Sequence, residues 1–159
     1  MTISVGDKMP AGDFTTMTAE GPGKLSTDEL FSGKRVVLFS VPGAFTPTCS
    51  AKHLPGFIEQ AEAFKAKGVD LVACMSVNDV FVMHAWGESS KAAGIDMLAD
   101  GNGEFAEALG LEMDATAFGM GKRSQRFALV ANDGVVTQLL VEAAGEFRVS
   151  SAESVLNVL

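Results

Sequence analysis

The chain has 159 residues, of which 47% are hydrophobic and 20% charged; this is the composition of an ordinary globular protein, and the length fits one domain over residues 1–159. Twelve Lys and Arg residues against twenty Asp and Glu residues give a formal net charge of −8, which argues against nucleic acids and anionic membranes as partners, because both attract basic surfaces. Charges and glycines interrupt every apolar stretch before about 18 residues, so we expect no membrane-spanning helix.

The predicted elements alternate between buried strands and helices. In chain order they are a strand at 36–41, a helix at 50–66, a strand at 69–77, a helix at 79–92, a short extended segment at 95–99, a short helix at 104–109, strands at 125–131 and 135–142, and a helix from Ser150 or Ser151 to Leu159. The segment Asn132-Asp133-Gly134 indicates a hairpin, and the Gly-rich segments at 20–24 and 119–122 indicate surface loops. This order predicts an α/β fold with a mixed central sheet and helices on both faces.

Cys49 stands where the first predicted strand passes through a Pro- and Gly-rich loop into a helix. Unpaired N–H groups and the positive end of the dipole at a helix N-terminus favour an anion. Such positions, and nearby cations, lower a cysteine pKa from about 8.5 to roughly 3.5–7.5, and the thiolate is the reactive form. Cys49 is therefore the candidate nucleophile, with an ordinary buried thiol as the alternative.

The two cysteines are too few for a disulfide scaffold or a Cys-rich zinc site, which favours a reducing compartment. The first residues also lack the pattern of a secretory signal, so we expect a cytoplasmic protein. Cys74 lies in the apolar run Leu71–Met75 and is interpreted as an inert core thiol. Cys49 and His53 have helical i, i+4 spacing, but two ligands without partners do not predict a metal site.

The residues around Cys49 resemble the signature of a known family. Pro42, Thr46 and Cys49 fit the pattern P-x-x-x-T-x-x-C of the peroxiredoxins, which are thiol peroxidases. Four segments are similar, in the same order, to the type II or peroxiredoxin-5-like branch: Val41–Ser50, His53–Phe57, Cys74–Asp79 and Arg123–Phe127. The resemblance covers essentially the whole chain and implies a thioredoxin-like fold with peroxiredoxin insertions.

The resemblance also implies roles for four residues. Cys49 would be the peroxidatic cysteine, Pro42 would shield it from water, and Thr46 would hold the thiolate or orient a peroxide oxygen. Arg126, at the head of a predicted strand, would reach the cysteine and stabilise negative charge as the O–O bond breaks, while Arg123 is interpreted as a surface residue. A thioredoxin would carry a second cysteine where Thr46 stands, and a threonine cannot resolve a mixed disulfide.

His53 and three aromatic residues are further candidates. His53 lies one helical turn past the cysteine, and we expect it to face the same pocket and orient Arg126 or a substrate; the alternative is a plain polar helix residue. Phe45, Phe81 and Phe118 are interpreted first as core residues, although in this branch aromatic residues of these loops line the site entrance and a dimer interface.

The resulting hypothesis is a cytoplasmic, cofactor-free thiol peroxidase that reduces hydrogen peroxide and organic hydroperoxides through a cysteine sulfenic acid. Some members of the branch carry a resolving cysteine where residues 145–151 of this chain have none. Reduction is therefore expected from outside, by glutaredoxin with glutathione or by thioredoxin, and the resemblance implies a homodimer. Two alternatives stay open: a monothiol oxidoreductase acting on glutathione mixed disulfides, and a non-enzymatic redox sensor that passes oxidation to a partner.

Overall fold

A mixed seven-stranded sheet forms the centre of the protein. The structure is a computed structural model that describes residues 1–159, and it contains nine strands: β1 (Asp13–Thr18), β2 (Gly21–Ser26), β3 (Arg35–Ser40), β4 (Leu71–Ser76), β5 (Asp96–Ala99), β6 (Glu112–Asp114), β7 (Lys122–Ser124), β8 (Phe127–Asn132) and β9 (Val135–Val141). The large sheet has the order β2-β1-β5-β4-β3-β8-β9, and β6 pairs only with β7. Strands β3, β4 and β5 are parallel, and the other neighbours are antiparallel.

Helices cover both faces of this sheet. They are α1 (Thr27–Phe31), α2 (Leu54–Glu59), α3 (Ala61–Ala66), α4 (Val80–Ser90), α5 (Glu104–Leu109) and α6 (Ala152–Val158). Helices α2, α3, α4 and α6 pack on one face, around Phe57 and Trp86, and α1 and α5 pack on the other, around Phe31 and Phe105. None of the helices has the length and apolar character needed to cross a bilayer.

Strand β3 shows why the core has two sides. Side chains alternate along a strand, so Val37 and Phe39 enter the cluster on one face while Val36 and Leu38 enter the cluster on the other. All four are fully buried, and each contributes roughly 1.5–3 kcal/mol through burial. A strand enclosed on both faces must be apolar at successive positions, and the predicted mixed sheet with helices on both faces is confirmed.

Two predicted boundaries have clear local causes. Asp133 and Gly134 have φ values of 49° and 79°, as a two-residue type I′ turn between β8 and β9 requires. Ser151, and not Ser150, caps α6, because its hydroxyl accepts a hydrogen bond from the Ser154 N–H at 3.1 Å.

Several elements differ from the prediction, which also did not include β1 and α1. Segment 50–66 is not one helix: a π-turn at Cys49–His53 precedes α2, and the chain is interrupted again at Gln60 before α3. Segment 20–24, predicted as a loop, lies largely in β2, which pairs with β1; these Gly-rich, polar residues carry no hydrophobic alternation that could predict a strand. The short strands β6 and β7 are likewise not predicted, because three residues are too few to establish a period.

Candidate active site

The end of strand β3 leads directly to the candidate nucleophile. After Ser40 the chain leaves the sheet and enters helical geometry at Pro47, whose fixed φ suits a first helical position. The first i to i−4 hydrogen bond runs from the Ser50 N–H to the Thr46 carbonyl at 2.9 Å. Cys49 therefore lies in the first helical turn, as the sequence predicts, and its side chain is fully buried.

The helix opens with a wide turn over Cys49–His53. The Leu54 N–H donates to the Cys49 carbonyl, five residues back. Pro55 follows, and proline has no N–H and crowds the carbonyl four residues before it, so the wide turn removes the conflict. Such π-turns are frequent at functional sites.

Arg126 joins Cys49 to His53. Its Nη2 donates to the Cys49 Sγ at 3.0 Å, and its Nη1 donates to His53 Nδ1 at 2.8 Å. Arg126 comes directly before β8, in which Phe127 pairs with Ser40 at the end of β3. The register of β3 and β8 therefore places the guanidinium beside the loop that carries the thiol, and the predicted contact of Arg126 with Cys49 is present.

His53 is a buried, neutral imidazole. Its Nε2 lies 2.9 Å from the Ser150 carbonyl oxygen; because a carbonyl can only accept, Nε2 carries the proton and Nδ1 accepts from Arg126. Burial, and then the charge of Arg126, lower the pKa of His53 from its usual 6.5 to about 3, against the opposing effects of the Ser150 carbonyl and the Glu142 carboxylate. The structure thus places His53 in the interior beside Arg126, where the sequence analysis expects it, and not on an exposed helix face.

Glu142 is a residue that the sequence analysis does not single out. The residue is 7% exposed, and its carboxylate accepts hydrogen bonds of 2.7–2.9 Å from the backbone N–H groups of residues 148–150 and from the Ser150 hydroxyl. Burial opposes its charge, but these hydrogen bonds outweigh burial and hold the pKa of Glu142 below its usual range. The available signal is an acidic residue at the end of an apolar strand, directly before a Gly-containing loop.

A cleft of about 670 Å³ lies beside Arg126. Pro42, Thr46 and Phe118 line it together with Arg126, so the thiol that Arg126 contacts lies behind the wall of this cleft. The Thr46 hydroxyl donates to the Gly43 carbonyl at 2.6 Å, which commits its proton and leaves its oxygen able to accept a hydrogen bond.

Cys74 lies inside the protein, on strand β4 opposite Phe39 of β3. Its side chain is fully buried, and both cysteines are free thiols. Burial, and then the nearby Cys49, raise the pKa of Cys74 well above its usual range, with Arg126 acting in the opposite direction. These surroundings match the expected core thiol and disfavour a reactive thiolate.

Two of the sequence interpretations are wrong. Arg123 is half-buried rather than a surface residue: its Nε donates to the Met120 carbonyl and its Nη1 to the Val77 carbonyl, both at 3.0 Å. The three phenylalanines interpreted as core residues are exposed, by 53%, 65% and 82% respectively, at Phe45, Phe81 and Phe118. Their apolar neighbours in the sequence do not reveal this exposure. Phe81 lies on the face of α4 opposite its buried residues, and the chain conformation around Phe45 and Phe118 turns these two side chains outward.

Comparison with known proteins gives consistent results. A profile of the Redoxin family matches residues 4–156. The chain is 54% identical to peroxiredoxin-2E-2, chloroplastic, of Oryza sativa, with 99% of this chain and 73% of the relative covered, and 50% identical to peroxiredoxin-2B of Arabidopsis thaliana, with 99% and 98% covered. The crystal structure of reduced Prx3 in complex with H₂O₂ from Vibrio vulnificus superimposes with a TM-score of 0.96 at 55% identity and 99% coverage of both chains.

Proposed function

Because the chain belongs to the Redoxin family, and within it to the type II peroxiredoxins, which are thiol-dependent peroxidases, we propose that Cys49 is the peroxidatic residue. The observation that carries this proposal is the 3.0 Å hydrogen bond from Arg126 Nη2 to the Cys49 Sγ. The guanidinium is a fixed positive charge with an N–H group directed at the sulfur, so it lies where negative charge passes from the sulfur to the peroxide oxygens. Both thiols are fully buried, but Cys74 has no such partner at its sulfur.

In the proposed reaction the Cys49 thiolate attacks the terminal oxygen of a hydroperoxide. An S–O bond forms as the O–O bond breaks, the electron pair goes to the leaving oxygen, and that oxygen takes a proton to leave as water or an alcohol. Cysteine is oxidised to sulfenic acid and the peroxide is reduced. Arg126 stabilises the negative charge that develops during this step, and no cofactor takes part.

Thr46 and Pro42 have supporting roles in this proposal. The Thr46 proton is held by the Gly43 carbonyl, so the Thr46 oxygen accepts from the peroxide O–H and aligns the substrate for in-line attack. Pro42 lines the same cleft, and its ring limits the access of water to the sulfur. Hydrogen peroxide and organic hydroperoxides are the proposed substrates, and the apolar wall formed by Phe118 suits the organic group.

We further propose a one-cysteine cycle with an external reductant. Residues 145–151 contain no cysteine, and Cys74 is enclosed in the core, so neither offers a resolving thiol close to solvent. The sulfenic acid is then reduced by glutathione with glutaredoxin, or by thioredoxin. A single-domain, cytoplasmic homodimer completes the proposal, with the exposed Phe45, Phe81 and Phe118 as candidates for its interface.

A turnover assay tests this function. Peroxide consumption is measured for wild type, Cys49→Ser and the matched control Cys74→Ser, with glutaredoxin/glutathione and thioredoxin supplied separately. We expect turnover by wild type and Cys74→Ser, and none by Cys49→Ser, because a hydroxyl is scarcely ionised at neutral pH. Disulfide exchange without peroxide consumption would instead support the monothiol oxidoreductase. Slow peroxide reaction with a trapped protein–protein disulfide would support the redox sensor.

A further inference from the structure

Glu142 fixes residues 147–150, the segment that packs against Arg126 and His53. Its backbone N–H donates to the Arg126 carbonyl at 3.0 Å, so the two residues are direct neighbours at the ends of β8 and β9. Its carboxylate gathers the N–H groups of residues 148–150 and the Ser150 hydroxyl. A carboxylate only accepts, so it can satisfy several converging donors at once.

Residues 147–150 contact both Arg126 and His53. The Ser150 carbonyl accepts from His53 Nε2 and thereby fixes the tautomer whose Nδ1 accepts from Arg126. The Phe147 ring lies 4.9 Å from the His53 ring and 5.7 Å from the Arg126 guanidinium carbon. The imidazole orientation is therefore set by Ser150, which Glu142 binds directly. One face of the guanidinium is covered by Phe147, which directly precedes the anchored Arg148 N–H.

We propose that Glu142 is a positioning residue for the peroxide step: by anchoring residues 148–150 it holds His53, and through His53 it holds Arg126 against the Cys49 sulfur. This inference rests on the proposed peroxidase function. Loss of the carboxylate frees the Ser150 carbonyl and Phe147, His53 can then rotate, and the Nη2 group moves away from the sulfur. Displacements of about 1 Å at a reacting centre can cost on the order of 10²-fold in rate.

Steady-state kinetics separate this role from a merely structural one. In a ping-pong cycle, kcat/KM for hydrogen peroxide reports the oxidation of Cys49, and kcat/KM for the reductant reports the later step. We expect Glu142→Gln to lower kcat/KM for hydrogen peroxide by on the order of tenfold, since bonds to a charged acceptor are the stronger ones, and to leave kcat/KM for the reductant unchanged within about twofold. Glu153→Gln is the matched control, because Glu153 is an exposed glutamate in the first turn of α6, just beyond the segment that Glu142 holds.

A double-mutant cycle with Arg126→Ala gives the second readout. If Glu142 acts through Arg126, the double variant should have a kcat/KM for hydrogen peroxide no more than about twofold below that of Arg126→Ala alone. The inference is overturned if the two losses multiply, if both kinetic constants of Glu142→Gln fall equally, or if neither changes.

A second variant serves if Glu142→Gln folds poorly. Ser150→Ala removes only the hydroxyl donor and is expected to lower kcat/KM for hydrogen peroxide by about threefold. No change in that constant overturns the inference. Wild type that consumes no peroxide would refute the proposed function itself, whereas normal wild-type turnover with an unaffected Glu142→Gln refutes only the role of Glu142.

Discussion

Acid should destabilise this protein through His53. The folded state holds the imidazole neutral, with a pKa lowered from 6.5 to about 3 by burial and by Arg126. Between these two values the unfolded chain binds a proton that the folded chain does not, so stability is present above pH 6.5 and is lost as the pH falls. One pKa unit corresponds to about 1.4 kcal/mol, and the expected loss from His53 between pH 7.5 and pH 4.5 is about 2.6 kcal/mol. Against a total stability of roughly 5–15 kcal/mol this is a large effect.

The assay is urea unfolding at a series of pH values for wild type and His53→Asn. The substitution itself changes the free energy of unfolding at every pH. The test is therefore the slope of this free energy against pH, compared between the two proteins, because most contributions from other titrating groups cancel in that comparison. Below pH 6.5 we expect the free energy of unfolding to fall more steeply for wild type than for His53→Asn, and the two slopes should differ by about 1.4 kcal/mol per pH unit. His84→Asn is the matched control, because the His84 side chain is 47% exposed, and it should retain the wild-type slope. Parallel pH profiles for wild type and His53→Asn, or an NMR titration in which His53 protonates near pH 6, would refute the reasoning.

Two further predictions concern the reaction and the second thiol. Arg126→Ala should lower kcat/KM for hydrogen peroxide by roughly 10²–10³-fold, since one charge-stabilising donor is worth about 2.7–4 kcal/mol in a transition state. Arg123→Ala is the control. Equal losses from both variants would mean that Arg126 has only a structural role. Cys74→Ser should keep most of its activity with a glutaredoxin or small-thiol reductant, because burial raises the pKa of Cys74 well above its usual range, and a buried neutral thiol is a poor nucleophile for resolving a sulfenic acid. Loss of turnover in Cys74→Ser would make Cys74 the resolving residue.

The parts of the fold that are predictable from the sequence are those with a strong periodic or turn signal. The run at residues 36–41 is apolar at nearly every position, and its short length and β-branched residues favour a central strand buried on both faces. Asn132-Asp133-Gly134 contains the two residues that accept positive φ in a tight hairpin. By contrast, β2 is Gly-rich and polar, and its pairing with β1 is imposed by the sheet rather than by local preference.

The residues of the candidate site also differ in how well the sequence predicts them. The motif around Cys49 is local, so Pro42, Thr46 and the thiol can be recognised within a few residues of one another. Arg126 is 77 residues from Cys49 in sequence, and it could be assigned only through the family resemblance. Glu142 is not identified from the sequence, because an acidic residue at the end of an apolar strand is a weak signal. Its hydrogen-bond donors lie six to eight residues away in a loop, and no spacing rule marks such an arrangement.

The most direct test of the central claim is to treat fully reduced wild-type protein with one equivalent of hydrogen peroxide, trap the product with a sulfenic-acid reagent and locate the modification by peptide mass spectrometry. We predict an adduct at Cys49 and none at Cys74, because only Cys49 has a guanidinium donor at its sulfur and lies beside the cleft. A main product with the adduct elsewhere, or with a Cys49–Cys74 disulfide, would contradict the account.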